Sequence, residues 1–432
     1  MSIRTPRMPS GPLIGRLSLS QERRLSEGRS LRNRPTLAWV NPGWIVLAAT
    51  LALCGIGVYC IDLASALEKP QGLSGDAMRQ LIFVALGLAC GIAVAVPHFR
   101  MWVWLAWPAG IAAMLLLAVL LVPGMPEAII STRKGARRWI DMGPFDLQPS
   151  ELAKLTYVLV TAAYLRYRRN HRTLLGLVPL GIIVFVPMVL ILVEPDLGTS
   201  LLFLPTLVAM LVAAGAKLRH LIAISSLGLV MGLIIAAASL AFAEKGEYPL
   251  LRKHQVERIQ ALLDVGKGSD RYADDRGYQG KQAMTLVGAG GFDGHDELKS
   301  RALIHFSHLP ERRNDMVFAV YANRFGFVGA LWLLALYSAW ALGAMWIAAA
   351  CKDAFGRLVI VGFTAMTMTQ MLINIGECQG ILPITGMTLP FISYGGSSLI
   401  VGFLMVGMMV NIAMRKPELF WKKSFEFDDD GQ

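Results

Sequence analysis

Asp315 stands at a seam. It closes the polar stretch 244–315 and opens a long apolar one, in HLPERRNDMVFAV, His308 to Val320. A carboxylate is costly at the edge of an apolar segment. It either caps a helix or acts as a base that takes a proton from a reacting hydroxyl. In KGARRWIDMGPFDLQPSELAK, Lys134 to Lys154, the cations Lys134, Arg137 and Arg138 crowd together. Arginine forks match phosphate oxygens, so this segment reads as a phosphate grip or as a basic surface loop. Glu151 and Lys154, at i and i+3, share one helix face and can pair. In EPDLGTS, Glu194 to Ser200, Asp196 is placed to accept amides at the next helix start, with support of a site as its other role. GYQGKQAMTLVGAGG offers Tyr278, Gln279 and Gln282, then Gly288, Gly290 and Gly291, which permit close backbone approach to a ligand or a plain turn. NIGECQGILPITGMTLPFISYGGSS, Asn374 to Ser398, breaks a helical pattern at Pro383 and Pro390. It lends the hydroxyls of Ser393, Tyr394, Ser397 and Ser398 to an irregular backbone or to a re-entrant turn. No metal-ligand set is expected. DGHDE at 293–297 fits no ligand spacing, His305 and His308 lack further ligands, and Cys54, Cys60, Cys90, Cys351 and Cys378 form no CxxC.

The elements that must position these groups are membrane helices. Of 432 residues, 55% are hydrophobic and 16% charged, against about 25% charged in a soluble domain. The apolar residues gather into blocks of roughly bilayer length. Spans are expected near 44–65, 78–98, 101–122, 150–166, 174–193, 198–215, 219–243, 316–349, 355–377 and 391–414. The fold class is therefore all-α and polytopic, with about ten transmembrane helices. The eighth span is overlong and is expected to be broken or tilted. Lysines and arginines mark the loops near 99–100, 166–173, 216–219 and 350–357 and the C-terminus. By the positive-inside rule these are cytoplasmic, as are both termini. The outer face then receives 123–149, the turn Glu194–Gly198, the long extracytoplasmic loop 244–315 and the turn 378–390. These pieces hold nearly all the unusual chemistry. Within the long loop, HQVERIQALLD has a helical pattern, with Val256, Ile259, Leu262 and Leu263 on one face. Three regions follow: a basic tail 1–43, a membrane domain 44–415 and a tail 416–432. The net charge of +11 is spread over the tail and the inner loops and does not point to nucleic acid. The Arg-rich leader has no apolar h-region for a cleaved signal and reads as a cytoplasmic tail, although its Arg/Ser-rich, acid-poor composition mimics a transit peptide.

Taken in order, GARRWI, GPF, QPSE with the following Lys154, EPDLGT, GYQ with GAGG and LPE, and NIG through LPFISYGGSS resemble the SEDS family (shape, elongation, division and sporulation) of RodA and FtsW proteins. The resemblance spans about 44–415. It implies a peptidoglycan glycosyltransferase of the bacterial cytoplasmic membrane, working on lipid II at the outer face with inversion at the anomeric carbon. It implies a class B penicillin-binding protein as partner, besides the membrane lipids. The family's essential aspartate falls on Asp315, and Glu151, Lys154 and Asp196 match polar positions of its central cavity. Stabilisation of the leaving pyrophosphate would come from Arg137 and Arg138 or from a divalent cation, Mg or Mn. GPFDLQPSE and LPER lean towards the elongation-type RodA branch.

Some residues depart from the pattern. Arg313 and Asn314 stand where His-Thr is usual, and Asn323, Arg324, Phe325 and Gly326 where two glutamates commonly precede Leu-Gly. Glu377 is unexpected in NIGECQG. Arg324 is expected to seek Asp315, Glu377 or Glu151, and an arginine beside Asp315 would weaken it as a base. Two other functions fit the same motifs: a flippase for lipid II or another lipid-linked sugar, and a silent scaffold for the penicillin-binding partner.

Overall fold

The computed structural model describes residues 41–65, 72–122, 130–133, 136–143, 146–166, 177–194, 196–243, 256–257, 260 and 276–415. Lys134, the tail 416–432, the tail 1–43 short of residue 41, and most of the HQVERIQALLD helix lie outside them.

Among the described residues each expected span overlaps helix, although the tenth, expected from 391, begins at Gly396. The helices are α1 (Gly43–Ser65), α2 (Gly75–Ala95), α3 (Met101–Leu120), α4 (Pro149–Leu165), α5 (Val178–Val193), α6 (Leu197–Leu201), α7 (Phe203–Ala213) and α8 (Leu218–Ala243). They continue as α9 (Arg276–Ala289), α10 (Glu297–Phe306), α11 (Val317–Ala350), α12 (Ala354–Cys378) and α13 (Gly396–Met414). Among the described residues, α1, α2, α3, α11, α12 and α13 are long and apolar enough to cross a membrane. The other apolar helices are shorter, and the sixth span divides at Leu202 into α6 and α7.

The all-α, polytopic class is borne out, with one small addition to it. Part of 123–149 is a three-stranded antiparallel sheet of β1 (Ile130–Arg133), β2 (Ala136–Asp141) and β3 (Asp146–Leu147). Ile130 pairs with Ile140, and Ile140 with Leu147. β-branched and aromatic residues suit a pleated surface, and ISTR and ARRWID are rich enough in them to form a ribbon.

Packing explains how the polar residues are tolerated. α4 is buried along nearly its whole length, against α3, α5 and α12. Its ionisable pair therefore never meets lipid, where a charge would be costly. α2 and α13 approach closely because Gly407 faces the Gly91 backbone and Gly87 faces the Phe403 ring. Small residues permit such contact in membranes.

The eighth span is broken, as its length predicts. Gly326 has φ 65° and ψ −163° inside α11. The chain at 290–295 reaches into the gap: Phe327 N donates to Gly291 O at 3.0 Å, Val328 N to Phe292 O at 3.1 Å and His295 N to Arg324 O at 3.2 Å. Gly294, at φ +80°, faces the Arg324 carbonyl, where a Cβ would collide.

A buried ion pair, not anticipated from the motifs, ties α10 to the bundle. Arg301 of α10 is 1% exposed and donates to Asp62 of α1 at 2.6 Å and to Glu297 at 3.1 Å. Asp62 also accepts the Ser74 amide at 2.8 Å. Breaking a buried pair by removing one partner costs about 3–5 kcal/mol. Arg301→Ala is accordingly expected to lower the thermal midpoint in detergent, and adding Asp62→Asn should recover part of the loss.

Candidate functional site

Residues 379–395, between α12 and α13, are not helical, yet Thr385, Met387, Leu389, Ile392 and Ser393 are buried. Non-helical backbone at that depth must find partners, and side chains of the surrounding helices provide them. Gln370 Nε2 donates to Thr388 O at 2.9 Å, Asn374 Nδ2 to Met387 O at 2.6 Å and Tyr337 Oη to Pro390 O at 2.5 Å. Gln80 Nε2 donates to Ser393 O at 3.1 Å.

Three of the chemical groups singled out by the motifs approach residues 385–388 of this segment, Asp315 directly and the other two through a neighbouring residue. Asp315 comes from one side. Its carbonyl accepts Asn374 Nδ2 at 2.6 Å, and its Oδ2 lies 3.5 Å from where a Cβ on Gly386 would stand. Gly386 has φ +85°, which glycine adopts without strain, so the missing side chain leaves room beside the carboxylate. Lys154 comes from a second side. Its Nζ pairs with Glu151 at 2.9 Å and donates to Gln370 Oε1 at 3.2 Å, and Gln370 holds Thr388. Asp196 comes from a third. It caps α6 by accepting Thr199 N at 3.2 Å and Thr199 Oγ1 at 2.9 Å, and Gln148 Nε2 reaches it at 3.4 Å. The next glycine, Gly198, packs against Met387 and Thr385. The capping role read for Asp196 is present, and the cap docks on the same segment as Asp315.

The other expected residues are placed as follows. Arg138 Nε donates to Glu194 O at 3.0 Å, which brings β2 to the Asp196 turn, while Arg137 Nη1 reaches Val122 O at 3.2 Å. On α9, Gly280 and Met284 face Ile384 and Gly380 of the re-entrant segment. Tyr278 Oη donates to Ser307 O at 3.5 Å, and Gln279 and Gln282 are half-buried beside it. Ser393 serves the backbone: its Oγ donates to Asn314 O at 2.6 Å and accepts Leu389 N at 2.7 Å. Tyr394 turns towards α2, edge-on to Phe83 with centroids 6.3 Å apart. Ser397 is buried in the first turn of α13, and Ser398 Oγ donates to Gly395 O at 3.3 Å.

The two arginines that would have weakened Asp315 are engaged elsewhere. Arg313 pairs with Asp76 at the start of α2. Arg324 donates to Tyr59 Oη at 2.9 Å and to His295 O at 2.6 Å, and lies 5.0 Å from the Phe325 ring centre. Its expected partners were Asp315, Glu377 or Glu151. The break at Gly326 admits the 290–295 backbone and supplies a carbonyl instead.

Two features escaped the motif reading. Gln370, Asn374 and Glu377 occupy i, i+4 and i+7 of an apolar helix, which is one face. That polar stripe was the available signal. The second is Glu194, which is 4% exposed. Burial, then the neighbouring Asp196, push its carboxyl up to about 8, against a smaller opposing pull from Arg138. The folded protein thus holds its proton where the unfolded chain has lost it. Stability from this group is full below the ordinary carboxylate range near 4.5 and is lost as pH rises through about 8. Wild type is expected to lose thermal midpoint across that window relative to Glu194→Gln, whose amide does not titrate.

Among the described residues, no group of three His, Cys, Asp or Glu side chains stands together to hold a metal ion.

The sequence model of the FtsW, RodA and SpoVE proteins, described as cell cycle proteins, matches residues 43–418. The chain is 31% identical over 385 residues to the stage V sporulation protein E of Bacillus subtilis (strain 168), covering 86% of this chain and 97% of that one. It is 32% identical over 395 residues to the probable peptidoglycan glycosyltransferase FtsW of Pseudomonas fluorescens (strain SBW25), covering 89% and 91%. A solved chain from work on the structural coordination of polymerization and crosslinking by a peptidoglycan synthase complex superposes with a TM-score of 0.69 at 30% identity, covering 86% and 97%. The crystal structure of the rod shape determining protein RodA of Thermus thermophilus gives 0.59 at 27%, covering 86% and 96%.

Proposed function

The chain belongs to the SEDS family of FtsW, RodA and SpoVE proteins, and we propose that it polymerises lipid II into glycan strands at the outer face of the membrane, with Asp315 as general base. It is a multi-pass protein of the bacterial inner membrane with a peptidoglycan glycosyltransferase role. The observation that most supports the finer reading is the convergence on residues 385–388. A carboxylate stands beside an open glycine there, with a buried lysine one hydrogen-bonded residue away.

In this mechanism the acceptor sugar hydroxyl attacks the donor's anomeric carbon. Its proton passes to the Asp315 carboxylate, and the bond to the pyrophosphate lipid breaks with inversion. A base within reach of the hydroxyl typically contributes about 10²–10⁴-fold. Arg313 and Arg324 are held by Asp76, Tyr59 and His295. Charge on the leaving pyrophosphate would be met by Arg138, which reaches the Glu194 carbonyl, and by Arg137 on the same strand, or by Mg or Mn arriving with the donor. Tyr278, Gln279 and Gln282 on α9 and the hydroxyls of 393–398 are proposed to line the approach of substrate. The chain's partner is a class B penicillin-binding protein that cross-links the product, by analogy with the solved peptidoglycan synthase complex. The motifs GPFDLQPSE and LPER lean to the elongation branch, while curated relatives carry the FtsW name. The proposal is therefore made for the polymerase reaction that the two branches share.

The test is polymer formation from purified lipid II by the full chain with its partner, with and without divalent cation. Product strands are the expected outcome. Headgroup translocation in vesicles with no polymer would replace this reading by transport, and neither activity with intact partner binding would leave a scaffold.

A further inference from the structure

Glu377 is fully buried, near the end of α12. An ionisable group in that position is expensive and marks a function when it has a defined partner. Its Oε1 accepts the hydroxyl of Thr385. Thr385 directly precedes Gly386, the residue against which the Asp315 carboxylate stands. One turn earlier on the same face, Asn374 donates at 2.6 Å to the carbonyls of both Asp315 and Met387. The last turn of α12 thus touches the Asp315 segment on one side and both neighbours of Gly386 on the other. On its far side, Thr385 is packed by Gly198, where a Cβ would lie 2.9 Å from Oγ1.

We infer that Glu377 is a positioning residue: by holding Thr385 it fixes Gly386 relative to the Asp315 carboxylate, and so sets the space in which the acceptor hydroxyl meets the base. The inference rests on the polymerase reading. It assigns to an atypical residue of this chain a role in that reaction without contact with substrate. Asn374 fixes the backbone at 315 and 387, and Glu377 fixes the residue between Asn374's clamp and the Ile384 turn. Loss of the Glu377 bond lets 385–386 shift while the bonds at 387 and 388 hold.

The experiment measures steady-state kinetics on lipid II with the full chain and its partner, normalised to folded protein. Glu377→Leu and Thr385→Val should each lower kcat by about 10–100-fold, with KM within about two-fold, because misplacement by an ångström is that costly. Glu377→Gln keeps an acceptor oxygen for Thr385 and should stay close to wild type. The double variant Glu377→Leu/Thr385→Val should be no slower than the slower single, since both remove one bond. A structural role alone would move the thermal midpoint down. Replacing a buried carboxylate by leucine is instead expected to hold it or raise it. An unchanged kcat in Glu377→Leu, a loss that tracks the midpoint, or a Gln variant as slow as Leu would overturn the inference while wild-type polymerisation left the functional reading standing. A wild type that makes no polymer would overturn both.

Discussion

Asp315→Ala is expected to abolish glycan polymer formation from purified lipid II while leaving folding and partner binding intact. The expected loss is at least about 10²–10⁴-fold, the usual contribution of a positioned base. Folding should survive because three bonds to backbone carbonyls hold this segment. Asn374 binds the Asp315 carbonyl, Ser393 binds the Asn314 carbonyl, and Tyr394 N donates to Arg313 O at 2.9 Å. None of these bonds uses the carboxylate. Asp315→Asn is the sharper variant, since it keeps shape and removes only basicity, and it should fall with Asp315→Ala. Asp315→Glu retains the group but moves it by a methylene towards Gly386, and intermediate activity is expected. Full polymerisation by Asp315→Ala, measured as glycan strand length on gels, would end the general-base mechanism.

The second large effect is at Lys154. Lys154→Met leaves Glu151 buried with its cation gone, and a broken buried pair costs about 3–5 kcal/mol. It also takes the donor from Gln370, which holds Thr388 of the re-entrant segment. Both the thermal midpoint and the polymerase rate should drop. Glu151→Gln combined with Lys154→Met removes both charges, and stability should return towards wild type, since neutral pairs of similar volume often serve as well. Activity should not return, because Gln370 still lacks the lysine donor that orients it towards Thr388. A double variant as active as wild type would make the pair a packing device only.

Legibility in the sequence differed by kind of residue. The membrane helices were readable from apolar length, and the break in α11 from a span longer than a bilayer requires, while α9 and α10 fell in the stretch read as a loop. Asp196 was readable as a cap because N-capping is local: its capping bonds go to Thr199, three residues on. The Glu151–Lys154 pair was readable for the same reason, at one helical turn. The destination of Arg324 was not. Its carbonyl partner at His295 exists only because the 290–295 backbone enters the gap at Gly326, and no spacing announces that. The buried Arg301–Asp62 pair joins residues 239 positions apart, beyond any periodic signal. Gln370 was legible in principle, as part of a polar stripe with Asn374 and Glu377, but its bonds to Lys154 and Thr388 were not.

What the sequence determined by itself was the set of membrane helices, their family motifs and the candidacy of Asp315. Lipid offers backbone groups no hydrogen bonds, so an apolar run of sufficient length must be helical whatever its neighbours. What only the tertiary structure decided was which polar groups meet. The 385–388 backbone could not pair with itself, so its partners had to come from α12, and through Gln370 from Lys154. Those contacts bring a carboxylate, a capped turn and, through Gln370, a lysine to residues 385–388, while Asp76 and the 290–295 backbone engage Arg313 and Arg324.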